Sequence, residues 1–281
     1  MNNLSITVAE DAGFCFGVRR ALDIVRDAVK RYGKVAMLGD IVHNERVVLD
    51  LERLGVKVYQ DINDIPDGVP VIFRSHGTSE NIWRQARERD MTIIDATCPL
   101  VREIHQAAKE LEADGRQVII IGDPGHDEVE GIASRVADPI IIANPQDADS
   151  LEKIGKAGVV IQSTQFHENV KGILAKLVMK IKDLRIINTI CKPTRNRQSQ
   201  LRELAEKKDV IIVVGSFTSA NTKRLTSIAE KINPSSYQVQ KVDEIQSDWF
   251  RNAKSVGISA GASTPDEIVT EVKEKISALP I

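Results

Sequence analysis

Three cysteines, the only ones in the chain, each stand between a short apolar run and a helical one. "DMTIIDATC" ends at Cys98, "DLRIINTIC" ends at Cys191, and "NNLSITVAEDAGFC" ends at Cys15. A thiol between a strand and a helix meets free backbone N–H groups and the positive end of the helix dipole, which favour thiolate. One such cysteine is ordinarily a small buried hydrophobe. Three at equivalent places point to one shared centre. A structural zinc site takes four ligands, commonly in close C-x-x-C pairs, and no such pair occurs here. Three thiolates and one His would still close a zinc site. An iron–sulfur cluster fits better, because it is wider than one ion and takes ligands from distant segments. A [4Fe–4S] cluster usually has four Cys. With three, one iron keeps an open position, which is where a metal site binds substrate. A three-iron cluster is the alternative on these residues alone.

Polar side chains gather in the neighbouring loops: His43 in "VHN", His76 in "SHGTSEN" and His126 in "GHDEVEG". The last third of the chain has no His and offers "SFTSANTKRL" and "SAGASTPDE" instead. Such Gly, Ser, Thr and Asn residues cap helices, and Thr264 before Pro265 reads as a cap followed by Pro at the first helical position. The same loops bind phosphate through N–H groups and hydroxyls, so a small anion such as a diphosphate fits the lining. Glu128, in the His126 loop, is a candidate general acid beside that anion. His105, beside an apolar stripe, is expected to be structural. His167 opens a helix and has no assigned role.

The elements that position these residues recur three times. After the cysteines, Val18, Leu22, Val25 and Val29, then Val101, Ile104, Ala108 and Leu111, then Leu201, Leu204 and Ala205, follow the helical period. Each helix leads to an apolar strand ending in Gly and polar residues: "KVAMLGDIVHN", "QVIIIGDPGHDE" and "DVIIVVGSFTSAN". A second such strand follows in "VPVIFRSHGTSEN", "GVVIQSTQFHEN" and "SVGISAGASTPDE". The cysteine spacings are 83 (98 − 15) and 93 (191 − 98) residues. The third unit stops without its last strand, and "LSITVAEDAGFC" at the chain's beginning supplies one. The expected fold is therefore α/β, with parallel sheets and right-handed crossovers. Its three pseudo-repeated units are 14–97, 98–190, and 191–281 with 1–13, arranged as a trefoil ring around the cluster. Ligand groups in such sheets gather beyond the carboxyl ends of the strands.

The composition is that of an ordinary globular chain: 281 residues, 42% hydrophobic, 28% charged and only 4% aromatic. Val, Ile, Leu and Ala must then fill the core, as in buried parallel sheets. A net charge of −2 marks no nucleic-acid binder. No apolar run approaches the roughly 18 residues that span a bilayer, and no signal peptide is apparent. The expected setting is cytoplasmic. No GxGxxG or GxxxxGK[ST] occurs, so electrons for a cluster must come from a partner protein.

Taken together, "GFCFGVRRA", "VHN", "SHG", "DATCPLV", "GHDEVEG", the "NRQ" after Cys191, "VVGSFTSAN" and "AGASTPD" resemble, nearly end to end, the 4-hydroxy-3-methylbut-2-enyl diphosphate reductases. These enzymes end the methylerythritol phosphate route to isoprenoids. The resemblance implies one [4Fe–4S] cluster per chain, held by Cys15, Cys98 and Cys191, with the open iron taking the substrate's hydroxyl oxygen. It implies that His43, His76 and His126, with Ser219, Asn221 and Ser263, hold the diphosphate, and that Glu128 donates protons. Ser163 stands where the family usually has a Thr near the substrate hydroxyl, and keeps the OH. Ala220 stands where the family often has a second Ser, and offers only its backbone N–H. The implied products are isopentenyl and dimethylallyl diphosphate. Two rival readings are a non-enzymatic iron–sulfur redox sensor and a metal-dependent phosphohydrolase built on "GHDE".

Overall fold

Val- and Ile-rich runs too short to stand alone pair in parallel and are covered by amphipathic helices. The computed structural model describes residues 4–42 and 44–279, so His43 lies outside the described residues. After β1 (Ser5–Val8), the first repeat runs α1 (Phe16–Tyr32), β2 (Val35–Leu38), α2 (Glu45–Arg53), β3 (Val56–Tyr59), β4 (Val71–Phe73), α3 (Glu80–Glu88) and β5 (Ile93–Asp95). The second runs α4 (Pro99–Ala113), β6 (Gln117–Ile121), α5 (Asp127–Ala133), β7 (Ile140–Ile142), α6 (Pro145–Asp149), β8 (Ile154–Ile161), α7 (His167–Lys180) and β9 (Ile181–Ile186). The third runs α8 (Lys192–Lys207), β10 (Val210–Val214), α9 (Ala220–Ile232), β11 (Ser236–Val239), β12 (Ser255–Ala260) and α10 (Asp266–Ser277).

The strands form three four-stranded sheets with one pattern: β3-β2-β4-β5, β7-β6-β8-β9 and β11-β10-β12-β1. All pairings are parallel. The third sheet is completed by β1, from Ser5 opposite Ser255 to Val8 opposite Ile258, so the chain's first strand does supply the missing one. Packing groups the chain into two compact units. Met1–Arg19, Val42–Leu49 and Lys192–Ile281 form one, which holds the third sheet. Arg20–Ile41 and Asp50–Cys191 form the other, which holds the first two sheets.

The core shows why the strands are apolar on both faces. Along β6, Ile119 and Ile121 pack with Val170, Ile173 and Leu177, including those of α7. Val118 and Ile120 point the other way, onto Ile104, Ala108 and Leu111 of α4 and Val129 and Ile132 of α5. A strand's side chains alternate across the sheet, so helices on both sides require a continuous hydrophobic run. In the third sheet, Val210, Ile212 and Val214 pack with Val256, Ile258 and Ala260 against Ile268, Val272 and Ile276 of α10.

Three expectations need correction. The strands stop short of the cysteines, at Val8, Asp95 and Ile186, and each cysteine instead directly precedes the first helical residue. The sequence pattern does not mark the edge strands β3, β7 and β11, because runs of three or four residues show no usable alternation. Finally, α10 starts at Asp266 with Pro265 as its N-cap, one residue later than expected. The hydroxyl of Thr264 donates to the Val214 carbonyl rather than capping the helix.

Candidate functional site

Each cysteine is fixed by a helix start on one side and a hydrogen bond on the other. Cys98 is the N-cap of α4, and Pro99 fills the first helical position, where a missing N–H is harmless. Cys15 precedes Phe16 of α1, and Cys191 precedes Lys192 of α8. All three thiols are half-buried. The backbone N–H of Cys15 donates to the Ala262 carbonyl at 3.1 Å, that of Cys98 to Ser75 at 3.0 Å, and that of Cys191 to Ser163 at 3.1 Å. The acceptors follow β12, β4 and β8, the strands that pair with β1, β5 and β9. Parallel pairing thus sets every cysteine beside a polar loop beyond the neighbouring strand's carboxyl end. Those loops carry Ser263, His76 and Ser163.

In the unit that holds Cys98 and Cys191, four expected site residues come together. His126 is the N-cap of α5, and its Nδ1 accepts from the Glu128 N–H at 3.1 Å. In the neutral ring, the proton then sits on Nε2. The rings of His76 and His126 meet edge to face, 5.6 Å between centroids. Glu128 is 1% exposed. Its two carboxyl oxygens are held by Ser163: Oε1 accepts from the backbone N–H at 2.6 Å and Oε2 from the hydroxyl at 2.8 Å. Ser163 therefore joins Glu128 to Cys191 through its own backbone. Arg74, which no motif marks although it precedes "SHG", pairs with Asp127 at 2.5 Å. That ion pair ties the His76 loop to the first turn of α5.

His105 is buried as expected, in α4. Burial, then the nearby charges of Arg135 and Lys109, push its pKa down from 6.5 to about 4. Asp95 acts weakly the other way. The native ring therefore stays neutral while the unfolded chain takes up a proton below pH 6.5. This contribution to stability is complete above about pH 6.5 and is lost as pH falls towards about 4. At full extent it amounts to about 3 kcal/mol. Denaturant unfolding at pH 7 and pH 4.5 should show the loss in the parent and a shallower one in His105→Phe; equal pH slopes would refute it.

The other unit holds Ser219, Ala220, Asn221 and Ser263 with Cys15. Ser219 is the N-cap of α9, its Oγ accepting from the Thr222 N–H, and Ala220 is the first helical residue. The Nδ2 of Asn221 is buried with no hydrogen-bond partner among the described residues, a donor placed where an acceptor is wanted. Ser263 is 8% exposed, in the loop that accepts the Cys15 N–H. That loop lies directly against the start of α9: a Cβ on Gly261 would stand 2.2 Å from the Thr222 hydroxyl oxygen. Glu45, two positions beyond His43, was not singled out from the sequence. Its carboxylate accepts from the hydroxyls of Ser216 and Thr218, both at 3.1 Å, and from the Gln240 amide at 3.0 Å. Burial works to raise its pKa, but these bonds and one from its own backbone outweigh it and hold it below the ordinary value. Glu45 so anchors the loop leading into Ser219, Ala220 and Asn221.

The donor types suit an iron–sulfur group: three free thiols, each before a helix, each with its backbone N–H bonded to a loop carbonyl. Among the described residues, no group of three His, Cys, Asp or Glu could hold a single metal ion.

A family model described as LytB protein matches residues 6–277. The 4-hydroxy-3-methylbut-2-enyl diphosphate reductase of Geobacter sulfurreducens is 39% identical over 274 residues, 97% of each chain. That of Aquifex aeolicus is 38% identical over 281 residues, covering 98% of this chain and 97% of its own. The solved structure of the Plasmodium falciparum E-1-hydroxy-2-methyl-but-2-enyl-4-diphosphate reductase superposes with a TM-score of 0.94 at 30% identity, covering 99% of this chain and 89% of that one. A second solved structure, described as the reductase that ends the non-mevalonate pathway, superposes at 0.73 with 36% identity, covering 98% of this chain and all of that one. Matched nearly end to end in sequence and in fold, the chain belongs to the LytB family of 4-hydroxy-3-methylbut-2-enyl diphosphate reductases.

Proposed function

We propose that this protein reduces (E)-4-hydroxy-3-methylbut-2-enyl diphosphate to isopentenyl and dimethylallyl diphosphate. The net change is R–OH plus two electrons and two protons to R–H plus water. Cys15, Cys98 and Cys191 would hold one [4Fe–4S] cluster. When bound, that cluster supplies the electrons and a Lewis-acidic position for the hydroxyl oxygen. A ferredoxin or flavodoxin in the cytoplasm would supply those electrons. The observation that carries this reading is the thrice-repeated bond from a cysteine N–H to a polar loop at Ala262, Ser75 and Ser163.

The chain's own residues bind, orient and protonate. His43, His76 and His126 hold the diphosphate, with Ser219, Asn221, Ser263 and the Ala220 N–H. Histidine N–H groups and helix-start donors suit that anion, and the buried Nδ2 of Asn221 is one such donor. Glu128 and Ser163 form the proton path. In its protonated form Glu128 passes its proton to the Ser163 Oγ while the Ser163 proton moves to the departing oxygen, which leaves as water. Glu128 is left as a carboxylate, held by the Ser163 N–H and hydroxyl. The second proton ends on carbon. Burial of Glu128 keeps bulk water from competing for the proton.

The phosphohydrolase reading fares worse on local geometry. Asp127 is paired with Arg74, Glu128 faces Ser163, and His126 Nδ1 accepts from backbone, so the "GHDE" donors do not converge on an ion. Protein purified without oxygen should be brown, carry about four irons per chain, and turn over the diphosphate substrate with a one-electron reductant. Colourless protein with full activity would overturn the proposal.

A further inference from the structure

His105 lies where both histidine loops reach α4, the helix that begins after Cys98. A Cβ on Gly77 would stand 2.9 Å from its Cε1 and 3.2 Å from its Nε2. A Cβ on Gly131 would stand 3.4 Å from Nε2 and 3.7 Å from the His76 carbonyl. Gly77 directly follows His76 and has φ +88°, which side chains rarely adopt. Gly131 is on α5, one turn beyond Glu128. One ring thus rests on two backbones stripped of side chains, one in each loop. Nε2 is buried and has no hydrogen-bond partner among the described residues, so the ring acts here through its shape. Asp95, Arg102, Lys109 and Arg135 surround it, and none is bonded to that nitrogen.

We propose that His105 is a positioning residue: its ring is the spacer that sets the His76 loop against the first turn of α5, and so sets His76, His126 and Glu128 relative to one another. The role rests on the reading of those residues as the diphosphate and proton site. Removing the ring lets the two backbones close on the space, which shifts both imidazoles. A shift of the order of 1 Å in a positioned site costs about a hundredfold in rate.

The test compares anaerobically purified holoenzyme variants well below their unfolding midpoints. His105→Phe keeps a flat ring, His105→Leu keeps bulk without one, and His105→Ala empties the space. Leu111→Ala is the control: Leu111 is buried in the same helix but packs on Gly158 of β8 and in the core with Val118 and Ile120, not on Gly77 or Gly131. Turnover per intact cluster and the Kd of inorganic diphosphate are measured for each. His105→Ala and His105→Leu should lose roughly tenfold to a hundredfold in kcat/KM and bind diphosphate about tenfold more weakly. His105→Phe and Leu111→Ala should stay within about threefold in both, although Leu111→Ala loses stability. Equal losses in His105→Ala and Leu111→Ala, or a His105→Phe as impaired as His105→Leu, would overturn the proposal. If His105→Ala does not fold, the Leu and Phe variants decide alone. A parent protein that binds diphosphate without reducing the substrate would refute the reductase reading, while the diphosphate Kd values would still judge the spacer.

Discussion

Glu128→Gln should lower kcat by about a hundredfold or more while leaving the cluster spectrum and diphosphate binding intact. The substitution is nearly isosteric at a side chain that is 1% exposed. The amide oxygen still accepts from the Ser163 N–H, so the backbone path to Cys191 survives. The amide nitrogen can donate to the Ser163 Oγ, as the protonated acid does, so the contact survives with the hydroxyl turned. But it has no acidic proton to give. The loss should therefore appear in kcat and not in binding. Ser163→Ala should be the milder variant, since it breaks the relay while the acid remains. Turnover of Glu128→Gln within about threefold of the parent would end the general-acid role.

Cys98→Ser should cost the protein most of its iron and its visible absorption, with helix content unchanged. The backbone geometry does not depend on sulfur: the N–H still reaches the Ser75 carbonyl, and Pro99 still starts α4. What disappears is the thiolate, since a serine hydroxyl stays protonated at neutral pH and is a poor ligand for iron. Because all three cysteines share one local arrangement, Cys15→Ser and Cys191→Ser should behave alike. An intact cluster spectrum in Cys98→Ser would show that Cys98 is not a ligand.

The corrections share one cause. Helices with a full apolar stripe, such as that of Val101, Ile104, Ala108 and Leu111, were evident because the period repeats over several turns. Edge strands such as β7, of three residues, were not, because pairing decides them rather than pattern. Ser163 stands out in the sequence only as a hydroxyl, but its two hydrogen bonds to Glu128 join residues 35 positions apart. Glu45 resembled any exposed glutamate until Ser216, Thr218 and Gln240 closed around it from more than 170 positions away.

The sequence by itself determined the α/β alternation, the three cysteines before three helices, the strand that completes the third sheet, and the family. Each of these is written in local periodicity or in short motifs, where neighbours along the chain are neighbours in space. Only the tertiary structure decided which carbonyl receives each cysteine N–H, which hydroxyl faces Glu128, and which two glycines receive the His105 ring. These contacts depend on parallel strands brought side by side by helical crossovers. A crossover joins residues dozens of positions apart at ångström distances, which no local pattern encodes.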